Sequence, residues 1–223
     1  MLAGAFKRAA AAIVALGLAA GSAGAQSFDG TGVVKFGVFG QGNWLDVDIS
    51  KPALFSVSPS GFGGGVSAGY DLVSKGRWLL GGEIDGSFGD AREKAFGIDY
   101  GFDYMLSLRA RFGVFPRPDW LIYGTAGVGW LGTETQVGPG LKNMETVFGF
   151  VGGAGTEIDW HHVILFGEYL YGAFEDRSFT LAGVRHNYDP DAHIVRIGVK
   201  FKVGHDYEHE IDKGYYRRGD SLK

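Results

Sequence analysis

Apolar and polar residues alternate along this chain with a period of two, most clearly between Met105 and Val114. Leu106, Leu108, Ala110, Phe112 and Val114 share one face, while Ser107, Arg109, Arg111 and Gly113 share the other. Eight segments of this kind stand between turn signals, at 33–48, 61–73, 78–89, 100–115, 120–133, 145–160, 163–174 and 192–203. The connections alternate in length. Those at 74–77, 116–119 and 161–162 are tight, whereas 49–60, 90–99, 134–144 and 175–191 are longer and polar. The pattern predicts an all-β fold: an eight-stranded antiparallel transmembrane β-barrel with short periplasmic turns and four longer external loops. An even strand number beginning in the periplasm returns both termini there.

Alternation alone does not separate lipid from a protein core, so a secreted β-sandwich is the structural rival. Aromatic residues argue for the barrel. Trp78, Phe115, Trp120, Tyr123, Trp160 and Phe201 lie near the tight turns, and Trp44, Trp130, Tyr171 and Phe174 lie towards the loops. Amphipathic rings favour both membrane interfaces. The second face, mostly glycine and small residues with a few charges, would make a poor solvent-facing surface.

The ends read as separate parts. Lys7 and Arg8 precede an apolar run from Ala9 to Ala20, and Ala23-Gly24-Ala25 supplies a small-residue cleavage site. Residues 1–25 are therefore expected to be a cleaved secretory signal peptide. The barrel is expected over 26–203 and a charged periplasmic tail over 204–223. With no cysteine in the chain, lipid attachment at a mature Cys and a disulfide framework both drop out. The chain carries 21 basic and 25 acidic residues, and loss of Lys7 and Arg8 makes it more acidic still, which argues against a nucleic-acid partner. Its 39 glycines suit a narrow barrel in which strands bend and approach closely.

Parity turns several charges inward. Glu83 and Asp85 lie on the third strand, Arg109 and Arg111 on the fourth, Glu157 on the sixth, Glu168 on the seventh, and Arg196 and Lys200 on the eighth. An eight-stranded barrel is only wide enough for its own side chains, so opposite charges at one height should meet. The expected interior network is Glu83, Arg109, Arg111, Glu157, Glu168 and Arg196, with Arg111 and Arg196 pairing with the glutamates. Its plain reading is structural. The sharper readings are an ion or proton pathway, or a catalytic carboxylate pair.

Other constellations carry less. His161-His162 falls in a turn. His205 and His209, among Asp206, Glu208 and Glu210, could chelate a divalent metal on a helix, but a hydrophilic tail is the simpler account. Gly61-x-Gly63-Gly64-Gly65 begins a strand and lacks the helix and lysine of a phosphate loop. No Ser-His-acid set falls on one rim. No cofactor and no metal are expected, and the reading is non-enzymatic.

Four stretches carry a family likeness: Leu108-Arg109-Ala110-Arg111-Phe112-Gly113, Leu121 to Trp130, Gly153-Ala154-Gly155-Thr156-Glu157 and Phe166-Gly167-Glu168-Tyr169-Leu170-Tyr171. They resemble the "R-x-R-x-G", "L-Y-x-x-x-G-x-A", "G-x-G-x-E" and "E-Y-x-Y" strands of the small outer-membrane immunogenic, porin-opacity-type proteins of alphaproteobacteria, related to the OmpA-type barrel. Val128 stands where the family usually has a small residue. The resemblance implies residence in the bacterial outer membrane, surface antigenicity and a role in envelope integrity. It implies contact with outer-membrane lipid and lipopolysaccharide, and handling by periplasmic chaperones and the barrel assembly machinery. Family members usually stop at a terminal aromatic; this chain runs past Phe201 to Lys223. Two alternative functions stay open. One is an adhesin or binding module whose loops reach host surface ligands, with Phe55 and Tyr188 as anchors and peptidoglycan as a further possible contact. The other is a narrow ion-conducting pore.

Overall fold

A computed structural model describes residues 30–49, 55–57, 60–74, 77–95, 98–137, 141–160, 163–175, 177–181 and 184–203. The expected signal peptide and tail, with His161, His162, His205 and His209, lie outside these residues. The described residues form ten strands: β1 (Gly30–Ile49), β2 (Phe55–Val57), β3 (Ser60–Ser74), β4 (Trp78–Ala95), β5 (Ile98–Arg117), β6 (Trp120–Val137), β7 (Leu141–Trp160), β8 (Val163–Phe174), β9 (Arg177–Leu181) and β10 (Val184–Val203). Their order is β2-β1-β3-β4-β5-β6-β7-β8-β10-β9, and β1 also pairs with β10. That last ladder, from Val34 opposite Val203 to Ile49 opposite Tyr188, closes the sheet. Eight long strands make the wall; β2 and β9 are short additions beside β1 and β10.

The two faces of the wall differ sharply. Leu108 is 52% exposed on the outside, and its neighbour Arg109 is 1% exposed on the inside. Every wall strand contributes to the outer apolar band: Val38, Val66, Ile84, Leu108, Ile122, Ile158, Leu165 and Ile197 are all exposed. Such a band suits hydrocarbon rather than water. Trp78, Trp160 and Phe201 face outward near the tight turns and Trp44 does so at the opposite end.

Three aromatics expected in the interface girdles instead point inward. Phe115, Tyr123 and Phe174 are buried in the lumen. Side-chain direction in a strand follows odd-even position and not distance from a turn. Tyr123, for instance, shares its face with buried Leu121 and Thr125.

The expected loops also need correction, since much of 90–99, 134–144 and 175–191 is strand. β4 runs to Ala95 and β5 restarts at Ile98, β6 and β7 pair up to Val137 opposite Leu141, and β9 pairs with the start of β10. A strand of 20 residues, such as β5 or β7, is about twice the length needed to cross the hydrocarbon layer. In these stretches each backbone still finds its partner on the neighbouring strand, so pairing continues past the alternating segments. Where β4 and β5 leave the wall, the register shifts between Phe88 and Ala91. A shift of this kind bends and twists a ribbon.

Candidate functional site

The lumen is filled in three layers. Nearest the tight turns, Val33, Val73, Leu79, Phe115, Leu121 and Tyr123 form an apolar cluster. Towards the ribbons lies a second, built from Leu45, Met105, Leu131, Val147, Val151, Leu170, Phe174, Ala192 and Ile194. Between them runs a belt of buried charge, in which Lys35, Arg109, Arg111, Arg196 and Lys200 face Asp71, Glu83, Asp85, Glu157 and Glu168. Among the described residues the belt therefore holds equal numbers of basic and acidic groups.

Arg109 is its hub. Its Nη1 donates to Glu168 Oε1 at 2.8 Å, and its Nη2 to Glu83 Oε1 and Asp85 Oδ2, both at 2.9 Å. The Nε reaches Ser107 Oγ at 3.0 Å, and that hydroxyl in turn donates to Asp85. A planar guanidinium with five N–H groups suits this three-carboxylate arrangement as an ammonium would not. Arg111 takes the lower position. It bonds Asp71 Oδ2 at 2.9 Å through Nη1 and Glu157 through Nη2, and stacks over Tyr123 at 4.2 Å. Lys35 bridges Asp71 and Glu157 at 2.6 and 2.7 Å. Lys200 joins Glu83 to Glu157, the latter at 3.0 Å. Arg196 places Nη1 2.8 Å from Asp85 Oδ1 and 3.8 Å from Glu168 Oε2, and its Nε donates to Gln41 Oε1 at 3.0 Å.

Some of these pairs are built by the ladder itself. Glu83 lies directly opposite Arg109, and Glu168 directly opposite Arg196. Arg109–Asp85 and Lys35–Asp71 join adjacent strands on a diagonal, Arg109–Glu168 and Arg111–Glu157 reach past the neighbouring strand, and bare positions beside them make room. At Gly37 a Cβ would stand 2.7 Å from Ser67 Oγ and 2.9 Å from Lys200 Cγ. At Gly155 it would meet the Tyr123 hydroxyl at 2.5 Å. These neighbours are ladder partners on adjacent strands, Ser67 and Lys200 of Gly37 and Tyr123 of Gly155, and their side chains lie so close over the backbone that both positions require glycine.

The structure buries Glu83, Arg109, Arg111, Glu157, Glu168 and Arg196 together. Glu168 bonds Arg109 and the Tyr123 hydroxyl and lies 3.8 Å from Arg196, while the carboxylates of Arg111 are Asp71, Glu157 and, at 3.7 Å, Glu83. Lys35 and Asp71 were missed. The signal was present, since Lys35 sits between outward Val34 and Phe36, and Asp71 between Tyr70 and Leu72. Gly61 to Gly65 lies within β3, as a strand and not a phosphate loop. Phe55 and Tyr188 fall in β2 and β10, and their side chains are outside the described set. Among the described residues no group of three or more His, Cys, Asp or Glu is placed to hold a metal ion.

Comparison with known proteins agrees with this architecture. A family model described as an outer membrane protein beta-barrel domain matches residues 10–202. The 25 kDa outer-membrane immunogenic protein of Brucella melitensis biotype 1 is 31% identical over 151 residues, covering 66% of this chain and 68% of the relative. Its Brucella canis counterpart is 29% identical over 150 residues, with the same coverage. Among solved structures, the outer membrane protein OprG from Pseudomonas aeruginosa superposes with a TM-score of 0.54 at 13% identity, over 79% of this chain and 98% of that one. At that identity the likeness speaks for the fold alone. A closed barrel with a lipid-facing apolar band, the matched family model and the Brucella relatives lead to one conclusion: the chain belongs to the outer membrane protein beta-barrel domain family and resides in the bacterial outer membrane.

Proposed function

We propose that this protein is a non-enzymatic, non-conducting structural barrel that supports the integrity of the outer membrane and displays its long ribbons as surface antigens. The observation that carries this reading is the three-layered filling of the lumen. Two apolar clusters bracket a belt whose basic and acidic groups engage one another. Wide aqueous channels belong to barrels of about sixteen strands, and eight leave a lumen that side chains fill. The named immunogenicity of the Brucella relatives supports the display of surface epitopes.

Deletion of the gene tests the reading. Loss of the barrel should sensitise cells to bile-salt detergent, and wild-type protein should restore resistance. Antibodies raised against the ribbon peptide 91–102 should label intact cells. A deletion strain with unchanged detergent sensitivity, or epitopes reached only after permeabilisation, would contradict it. The length of the ribbons favours a second reading, in which they engage ligands on host or neighbouring surfaces, because rigid scaffolds commonly recognise through projecting segments.

A further inference from the structure

Two ladders of the wall stop short of the ribbon tips. The β3–β4 ladder ends with Gly63 opposite Gly89. The β7–β8 ladder ends with Gly149 opposite Phe174, after which a last bond runs from the Glu175 N–H to the Phe148 carbonyl. The β5–β6 and β1–β10 ladders continue, to Ile98 opposite Val137 and Ile49 opposite Tyr188. Where β3 and β8 leave β1 and β10, β2 and β9 take their places. The wall therefore divides into two four-stranded sheets, β2-β1-β10-β9 and β4-β5-β6-β7. One row across the first is Phe55, Ile49, Tyr188 and Arg177, and one across the second is Glu93, Tyr100, Thr135 and Asn143.

Among the described residues the outer edges of these sheets have no ladder: β2 and β9 in one, β4 over 91–95 and β7 over 141–147 in the other. An unpaired edge is a template for another strand, and proteins guard such edges with charge, proline or shortness. Three of the four are guarded. β2 has three residues and lies between Pro52 and Pro59. β4 carries Arg92-Glu93-Lys94, and β7 carries Lys142 and Glu145. β9, with the sequence Arg-Ser-Phe-Thr-Leu, has one charge at its start and no proline.

The sequence of β9 also complements itself. An antiparallel pair of β9 edges centred on Phe179 sets Phe179 opposite Phe179, Ser178 opposite Thr180 and Arg177 opposite Leu181. Aromatic and hydroxyl cross-strand pairs stabilise a sheet, and no like charges meet. The same pairing of β4 about Glu93 would set Glu93 against Glu93 and Arg92 against Lys94. Direction decides where the partner stands. In every copy β9 continues the course of β8 away from the tight turns. Copies in one membrane therefore present these edges in parallel, with Arg177 beside Arg177. The antiparallel arrangement belongs to copies in two membranes that face each other.

We propose that β9 is a homotypic contact, pairing antiparallel with β9 of a second copy on a facing membrane and joining two four-stranded sheets into one. The contact is two-fold symmetric and occupies both β9 edges, so it closes at two copies. Five residues from each copy make a weak contact, and many copies between two membranes add to firm adhesion. The proposal rests on the reading in which the ribbons reach neighbouring surfaces.

The test uses the full mature chain refolded into two vesicle populations, one carrying a donor dye and one an acceptor. The antibody against 91–102 counts the ribbons exposed on the same vesicles, so failed display and failed contact read differently. Mixing wild-type populations should raise energy transfer as vesicles tether. Phe179→Lys in both populations should abolish tethering, as should Phe179→Glu in both. Mixing Phe179→Lys vesicles with Phe179→Glu vesicles should restore it, which a merely structural role for Phe179 would not produce. Should neither variant fold, free peptide 177–188 decides: it should compete the wild-type tethering away, and a scrambled peptide should not. Wild-type vesicles that expose their ribbons and stay apart would overturn the proposal. So would folded Phe179→Lys vesicles that tether as wild type does, a mixed pair that stays apart, or tethering that the peptide leaves intact.

Discussion

Glu83 on β4 and Arg109 on β5 stand directly opposite each other in the ladder, and their side chains meet at 2.9 Å inside the barrel. Glu83 also engages Lys200 and lies 3.7 Å from Arg111, so one carboxylate on one strand holds cations from β5 and β10. The contact links local register to the packing of the whole lumen.

Replacing that carboxylate should therefore be costly. Glu83→Gln keeps the shape and removes the charge, leaving three buried cations short of a counter-ion. Losing one partner of a buried pair costs about 3–5 kcal/mol. Urea titration of refolded protein should show a loss in that range, and Lys200→Met added to it should recover part of the loss. A change below about 0.5 kcal/mol would remove Glu83 from the network.

The pairing of Glu168 makes a sharper prediction. It bonds Arg109 and not Arg111. In double-mutant cycles, Glu168→Gln should couple with Arg109→Met by about 1–3 kcal/mol, while Glu168→Gln with Arg111→Met should be closer to additive. Coupling of the opposite rank, read from unfolding free energies, would contradict the geometry.

Leu108 tests the outer face. Leu108→Arg places a charge in lipid and should destabilise the barrel by about 2–4 kcal/mol if the residue lies near the midplane. Leu108→Ala should cost less. Equal tolerance of the two in refolding titrations would mean that this face does not meet hydrocarbon.

How far the fold could be read from the chain depended on where lipid lies. Between Met105 and Val114 the alternation is unbroken, because one side meets hydrocarbon and the other a narrow lumen, and each side selects its own residue types. Residues 91–95 and 98–102 carry no such alternation and read as loop, although they pair as strand. Parity placed Glu83, Arg109 and Glu168 on the inner side, yet nothing in the chain says that Arg109 on β5 reaches Glu168 on β8. That contact depends on side-chain length and on glycines that leave the lumen open. Phe115, Tyr123 and Phe174 misled because closeness to a strand end suggested an interface role that their odd-even position denies.

Orientation can be read chemically, because the chain has no cysteine of its own. Single cysteines at Phe55, beside the ribbons, and at Pro118, in the turn between β5 and β6, should behave differently on whole cells. An impermeant thiol reagent should label position 55 and spare 118. The reverse pattern would turn the barrel over.

Current across a planar bilayer tests the central claim most directly. Protein refolded and inserted from detergent should give no stable single-channel steps over a wide voltage range, because the apolar layers and the paired belt fill the lumen. The same preparation must show the cooperative unfolding of a folded barrel. Reproducible conductance steps that Glu83→Gln alters while leaving stability nearly unchanged would contradict the account and make the belt a conduction path.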